Sequence, residues 1–292
     1  MSLASYLHHP GRILRKVRWQ VMQARSEPTE LTAETWNGLL TFNSGDRLIS
    51  KYLYVRGAYE RDYVTCVMEF LERVRLRDPR RDVVLDVGAN IGMIAIALVK
   101  HDWFERAIAF EPEAYNFQLL TRNVKQNGYE RVIACRQVAL SSGSCNVELV
   151  INEGNLGGHF IPDASDAAAT LAVCRSVRIR TVTCDQIIDR EFSHLANRIG
   201  LVWMDIEGHE GHFLAGAETT LATGVPVVSE FYPLAIERSG MSRGGYRRRV
   251  EKHFTHVCVL ENGQFIERPV STVAGLFDEY AEGGTNVIYL RR

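Results

Sequence analysis

Val83-Val84-Leu85-Asp86-Val87-Gly88-Ala89-Asn90-Ile91-Gly92 is the stretch on which the reading of the fold turns. Four of the five residues from Val83 to Val87 are apolar, the pattern of a strand buried on both faces, as in a parallel sheet. The turn that follows carries Gly88 and Gly92, which let a ligand approach the backbone closely. In open α/β sheets ligands bind beyond the carboxyl ends of the strands, where the strand order reverses, so this turn is the first candidate site. Its form, G-x-N-x-G, matches neither the G-x-G-x-x-G dinucleotide fingerprint nor the Lys-bearing phosphate loop. A nicotinamide dehydrogenase or an NTPase is therefore disfavoured.

Working outward, apolar runs alternate with amphipathic segments, the signature of a doubly wound α/β sheet. Strands are expected near 83–87, 107–111, 132–138, 200–206 and 225–231, with helices near 92–100, 113–127 and 210–222. Pro112 follows Glu111 directly and suits a first helical turn, which places Glu111 at a strand tip. Val257 to Leu260, the turn Asn262-Gly263, and Phe265-Ile266 read as a hairpin, and Asn286 to Leu290 as a last strand. Before the core, residues 39–55 read as two short strands around Asn43-Ser44-Gly45-Asp46, with a helix beginning near Ala58. Residues 1–25 interleave Arg12, Arg15, Lys16 and Arg18 with Ile13, Leu14, Val17 and Trp19, an amphipathic helix suited to packing on its own domain or a second subunit. Contact with a membrane surface is the weaker reading of that helix. The division expected is an N-terminal extension over 1–56 and a catalytic domain over 57–292, with a Gly- and Ala-rich insert near 153–172 as a candidate lid.

Composition narrows the class. A chain of 292 residues that is 46% hydrophobic supports one substantial core. Its 34 Lys+Arg against 35 Asp+Glu supply no global attraction to nucleic acid or anionic lipid. The run Arg243, Arg247, Arg248, Arg249 and Lys252 reads as a solvated helix face rather than a nucleic-acid track. Six scattered cysteines without a C-x-x-C pair read as buried reduced thiols. With no apolar run long enough to span a bilayer and no signal-like N-terminus, the expectation is a soluble, cytoplasmic protein.

The sign of charge at the strand tips narrows the ligand. Asp86, Glu111, Asp205 and Glu230 all fall at or near the edge where a ligand would sit. Carboxylates repel phosphates but suit a sulfonium, an α-amino group and ribose hydroxyls. The ligand implied is adenosyl-like and positively charged.

Asp86-Val87-Gly88-Ala89-Asn90-Ile91-Gly92, then Phe110-Glu111-Pro112, then Met204-Asp205-Ile206-Glu207-Gly208-His209-Glu210 together resemble the FkbM family of methyltransferases, over about residues 57–292. The resemblance implies a Rossmann-like S-adenosylmethionine-binding sheet of seven strands, the last antiparallel. It also implies O-methylation of a hydroxyl on a sugar, glycolipid, polysaccharide or secondary metabolite. Carried over by position, Asp86, Gly88, Asn90 and Gly92 would line the methionine end of the cofactor, and Glu111 would take both ribose hydroxyls. Glu60, within Gly57-Ala58-Tyr59-Glu60, would close over it. The acceptor is expected beside Asp205, Glu207 and His209, with His209 as the favoured general base because its ordinary pKa of about 6.5 suits proton transfer near neutrality. No metal is assigned; Mg²⁺ on Asp205, Glu207, His209 and Glu210 ranks below the metal-free route. The rival readings are methylation of nucleic acid or protein, and a non-catalytic cofactor-binding assembly subunit. The basic N-terminal helix hints at self-association.

Overall fold

The computed structural model describes residues 10–24, 27–163 and 167–292. Its centre is a sheet whose strands are β3 (Val83–Val87), β4 (Arg106–Phe110), β5 (Ile133–Arg136), β9 (Ile199–Met204), β10 (Val227–Phe231), β11 (His256–Glu261), β12 (Gln264–Pro269) and β13 (Thr285–Leu290). They lie in the order β12-β11-β13-β10-β9-β3-β4-β5. The five from β10 to β5 run parallel, and β13 enters antiparallel between β10 and β11. The doubly wound α/β class and the antiparallel last strand are as expected. The strand number is eight rather than seven, because the hairpin at Asn262-Gly263 adds β12 to the sheet edge. Both turn residues take positive φ, 49° and 80°, the conformation that matches a two-residue turn to the twist of its strands.

Alternate residues explain why the strand sequences are continuously apolar. Val83, Leu85 and Val87 enter one core with Val202, Met204, Phe231 and Tyr289. Val84 faces the other core, with Leu201, Trp203, Val228 and Ile288. Helices cover both faces, so no sheet face is left for polar residues. The order reverses between β3 and β9, and the carboxyl ends of those two strands open the main cleft.

Several boundaries moved. The N-terminal hairpin pairs β1 (Glu30–Thr35) with β2 (Gly38–Asn43), one strand earlier than expected, and Ile49–Arg56 is a helix rather than a strand. Asp46 makes the difference: its carboxylate accepts the backbone N–H groups of Leu48 (2.9 Å) and Ser50 (2.8 Å), which opens a helix there. The next helix spans Arg61–Arg73 rather than beginning near Ala58. The helix expected to open on Pro112 starts at Ala114, where the Glu113 side chain caps Asn116 N–H at 2.7 Å. The helix read over 210–222 is two, Glu210–Gly216 and Glu218–Ala222. A small second sheet of β6 (Ala139–Leu140), β7 (Asn146–Val150) and β8 (Ser176–Val182) was not anticipated. The insert over 153–172 contains a loop to Asp163 and the start of the helix Ala167–Val173, with residues 164–166 outside the described residues. The helix expected over 1–25 is Pro10–Gln23; residues 1–9 and 25 lie outside the described ones. All six cysteines are free, but Cys145 and Cys174 are exposed, so burial holds for Cys184 and Cys258 and only partly for Cys66 and Cys135.

The N-terminal hairpin is bound to the sheet by polar groups as well as apolar ones. Asn123, fully buried on the helix Ala114–Gln126, accepts Thr41 N–H at 2.7 Å. Its amide donates to Thr41 O at 3.1 Å and to Ile91 O at 2.8 Å. One side chain thus ties β2 to the Gly-rich turn. Replacing Asn123 with Ala leaves three buried backbone groups without that partner. The expected loss is about 2–4 kcal/mol, at roughly 1–3 kcal/mol per unsatisfied group with partial relaxation. Urea unfolding checks it as a lowered midpoint at unchanged slope.

Candidate active site

The cleft lies at the β3/β9 switch, where ligands of open α/β sheets bind. Its floor is the turn after β3, its far wall the Asp205–His209 loop, and its roof Leu156, Gly157, His159, Phe160 and Ile161 from the insert. Asp86, Gly88, Asn90, Glu111, Glu60, Asp205, Glu207 and His209 all line it. Gly92 is absent from the lining and lies one turn behind, at φ 90° as the N-cap of the helix Met93–Lys100. A Cβ at Gly92 would stand 2.8 Å from Leu120, so this glycine serves packing.

Backbone geometry sets the floor. Gly88 (φ 86°) lies so close to the tip of β9 that a Cβ there would be 1.9 Å from Asp205 O. Gly88 and Ala89 N–H both donate to Phe110 O, at 3.0 and 2.9 Å, which draws the tips of β3 and β4 together. Three of the six non-glycine residues with positive φ among the described ones, Glu60, Asn90 and Glu207, lie at this cleft. Such strain concentrates where surrounding structure enforces it, commonly at ligand sites.

The carboxylates are held in different ways. Asp86, almost fully buried, accepts Ala95 N–H at 2.9 Å and so anchors the helix N-terminus; burial lifts its pKa to about 7. Glu111 accepts Glu113 N–H on one oxygen (2.8 Å) and Asn90 N–H on the other (2.9 Å). Burial still outweighs those bonds and pushes it to about 8. Each Glu111 oxygen keeps a further lone pair, enough for two hydroxyl donors. Asn90 braces the roof, its amide donating to Leu156 O at 2.8 Å, the same oxygen that takes Asn116 Nδ2. Glu60 begins the helix Arg61–Arg73 in a left-handed conformation, and burial followed by Asp205 raises it to about 8.

On the far wall, Asp205, Glu207 and Glu230 bring ligand oxygens within 4.8 Å of one another. Burial first, then mutual repulsion, lifts Glu207 to about 8 and Glu230 to about 9; Asp205, the exposed member of the trio, is raised to about 6. Glu210 does not join them. Its Oε1 accepts Ile206 and Gly208 N–H (3.3 and 3.2 Å), bracing the loop from inside, so the acidic trio contains Glu230 where the sequence suggested His209 and Glu210. His209 packs against His212 with ring centroids 4.3 Å apart, and its Nε2 pairs with Ser141 Oγ at 2.8 Å. Its Nδ1 is buried without a partner, and burial, then His212, drives its pKa down to about 3.

His159, which stands in the sequence where the family commonly has a hydroxyl residue, and Asn116, which the sequence reading missed, also reach the cleft. His159 Nδ1 accepts Asn152 N–H at 3.0 Å, and burial lowers its pKa, so in the neutral ring the proton sits on Nε2. That nitrogen is buried without a partner and is a donor in the cleft wall. Asn116 Oδ1 is likewise buried and unpartnered. Folding of the insert over the cleft brings His159 in, whereas Asn116 stands on the first turn of the helix Ala114–Gln126. No lysine or arginine lines the cleft among the described residues. Arg238 stands at its edge, 3.7 Å over the Phe160 ring and donating to Glu207 O at 3.2 Å.

The sequence profile described as "Methyltransferase FkbM domain" matches residues 86–266. No curated protein is similar to the chain in sequence. Among solved structures, the tRNA methyltransferase TrmK of B. subtilis is 13% identical, with a TM-score of 0.37 over 78% of this chain and 64% of that one. This chain therefore spans less than two thirds of that relative's length. An RNA methyltransferase from Salinibacter ruber, in complex with S-adenosyl-L-homocysteine, is 16% identical (TM-score 0.31, 59% and 75% covered). A putative O-methyltransferase from Klebsiella pneumoniae is 9% identical (TM-score 0.40, 79% of each chain).

Crowded acids make stability depend on pH. A carboxylate whose pKa is raised by folding binds its proton more tightly in the folded state, so its contribution is favourable at acid pH and fades as pH rises through the raised value. With Asp205, Glu207 and Glu230 spanning about 6 to about 9, Tm of the ligand-free protein should fall between pH 6 and pH 9. Glu230→Gln should raise Tm at alkaline pH by about 2–4 °C, the value of ~1 kcal/mol in a chain of this size. Calorimetric melts across pH check both; a flat profile would contradict the crowding.

Proposed function

Because this chain belongs to the FkbM family of methyltransferases, S-adenosylmethionine-dependent enzymes, we propose that it methylates a hydroxyl oxygen on a sugar, glycolipid, polysaccharide or secondary metabolite. The observation that carries the reading is the sign of the cleft: Asp86, Glu111, Asp205, Glu207, Glu230 and Glu60 converge with no lining cation among the described residues. Such a site favours a positively charged methyl donor over a phosphate ligand. The donor set fits S-adenosylmethionine, and the unpartnered His159 Nε2 and Asn116 Oδ1 are polar atoms that a ligand can satisfy.

In this reading Asp86 and the Gly88–Asn90 turn face the methionine end, Glu111 accepts the ribose hydroxyls, and Gly92 sets the turn from behind. Glu60 closes the side. When bound, S-adenosylmethionine supplies an electrophilic methyl carbon on a sulfonium. The chain must then hold the acceptor oxygen in line with that carbon and exclude water, tasks suited to the insert and to Tyr59 and Glu60. The proton that the acceptor hydroxyl loses on methyl transfer would pass to a carboxylate of the far wall. Glu207 is better placed for this than His209, since its raised pKa makes it a stronger base, whereas His209 is engaged by Ser141 and resists protonation. Asp205 stands beside Glu207, and His209 positions the loop that carries both. The route proposed is metal-free, with the proton taken by protein.

The basic run after β10 does not favour a nucleic-acid acceptor. Arg243 is paired with Glu237 (2.7 Å) and Asp278 (2.6 Å), Arg247 with Glu251 (3.2 Å), and Lys252 with Glu218 (2.5 Å).

Calorimetric titration with S-adenosylmethionine tests the cofactor assignment. Binding should release protons and tighten between pH 6 and pH 8, because a cation favours the ionised forms of Asp86 and Glu111, which stand near 7 and 8 without it. Glu111→Gln should weaken it about 10- to 100-fold, the loss of hydrogen bonds to a charged acceptor. Absence of binding by the wild type at any pH in that range would overturn the reading. For the acceptor side, Glu207→Gln should retain cofactor affinity and lower kcat in an acceptor screen with labelled methyl donor.

A further inference from the structure

The helix Pro10–Gln23 is held to the body along one line only. Trp19 is buried, 2% exposed, with its ring centroid 5.6 Å from that of Tyr54, and Gln23 donates to Ser44 O. At 100° per residue Ile13, Val17, Val21 and Leu14 fall within an arc of about 100° opposite Trp19. They are 43%, 50%, 59% and 53% exposed, four of the eight large apolar side chains left exposed among the described residues. Arg18 borders this stripe on one side and Lys16 on the other, Arg12 and Arg15 stand nearer Trp19, and the helix contains no acid. Scattered apolar residues on a surface need no explanation, but an ordered stripe flanked by cations does.

We propose that this face docks the protein on an anionic lipid bilayer. An interfacial helix lies flat, its apolar side in the headgroup region and its cations beside the lipid phosphates. No helix among the described residues is long and apolar enough to cross a membrane, so the contact is peripheral. Charge decides against a second copy on the same face. Two such helices packed face to face would set the cationic edges of one against those of the other, and neither helix contributes an acid.

The position of the helix links the surface to the site. A second cleft, lined by Arg12, Leu48, Tyr52, Arg56, Tyr59 and Glu60 among others, opens beside it, and Leu48 at its rim is 45% exposed. Tyr59 and Glu60 line the main cleft as well. This second cleft is a vestibule that joins the helix to the carboxylates of the main one, and the docking itself does not rest on the methyl-transfer reading.

Co-sedimentation of the full chain tests the docking, with vesicles of phosphatidylcholine alone and of phosphatidylcholine with phosphatidylglycerol. The protein should sediment with the anionic vesicles and not the neutral ones. Binding should be lost between about 0.1 M and 1 M salt, as the screening length contracts from about 10 Å to about 3 Å. Arg18→Gln should lower partitioning about fivefold, the value of one cation at the surface. Val17→Asp with Val21→Asp should abolish it. Both variants lie on the outer side of the helix and should keep wild-type S-adenosylmethionine affinity, so misfolding and failure of the cofactor assignment are each read separately. The proposal fails if the wild type stays in solution with anionic vesicles, or if sedimentation survives Val17→Asp with Val21→Asp. It fails equally if light scattering finds a dimer that those substitutions convert to monomer, which would make the stripe a self-association face.

Discussion

The contact on which the cleft depends is the approach of Gly88 to the backbone of Asp205. A side chain at Gly88 would overlap the Asp205 carbonyl, standing 1.9 Å from its oxygen. Because there is none, Asp205 N–H reaches Val87 O at 3.0 Å and the tips of β3 and β9 close on each other. That closure sets Asp86 and Asn90 on one side of the ligand space and Asp205 and Glu207 on the other. A second close approach fixes the same loop from behind, since Gly208 (φ 100°) passes 2.1 Å from Ala235 O when a Cβ is placed on it. The loop from Asp205 to Glu210 is thus clamped between two backbones, and Glu210 binds its N–H groups from within.

Clamping has an electrostatic cost. Six carboxyl groups, Glu60, Asp86, Glu111, Glu207, Glu210 and Glu230, stand above their ordinary pKa, each primarily through burial. Burying like charges in this way lowers stability unless something neutralises them, and native proteins tolerate it chiefly at functional sites. A cationic ligand removes part of the penalty on binding. The same crowding that weakens the ligand-free protein therefore adds to affinity and selects the sign of the ligand. It also separates roles. Glu111 and Asp86 are tied to backbone donors and are suited to holding, whereas Glu207 and Glu230 face one another with fewer donors and are suited to taking a proton.

The N-terminal segment is part of this arrangement. Asn37 accepts Tyr59 N–H at 2.8 Å and donates to Tyr59 O at 3.1 Å and to Met93 O at 3.3 Å, so the hairpin fixes the residues that wall the cleft. The helix Ile49–Arg56 contributes Ile49 to the lining. The vestibule beside the helix Pro10–Gln23 meets the main cleft at the same two residues, Tyr59 and Glu60.

What the sequence determined by itself is local and periodic. The apolar strands, the Gly-rich turn after β3, the acid at the tip of β4 and the loop after β9 could all be read from it, because each is a short run whose pattern follows from burial on two faces or from turn chemistry. The N-terminal hairpin was displaced by one strand, because the helix-starting role of Asp46 depends on which N–H groups its side chain reaches. The tertiary structure alone decided what converges across long separations. It placed Glu230 with Asp205 and Glu207, turned Glu210 inward, engaged His209 with Ser141, and brought His159 and Asn116 to the cleft wall. It also decided which face of the first helix remains outside, since only the seating of Trp19 against Tyr54 determines where the apolar stripe points. A residue's ionisation depends on what surrounds it in space, and that neighbourhood is assembled from distant parts of the chain with no trace in local spacing.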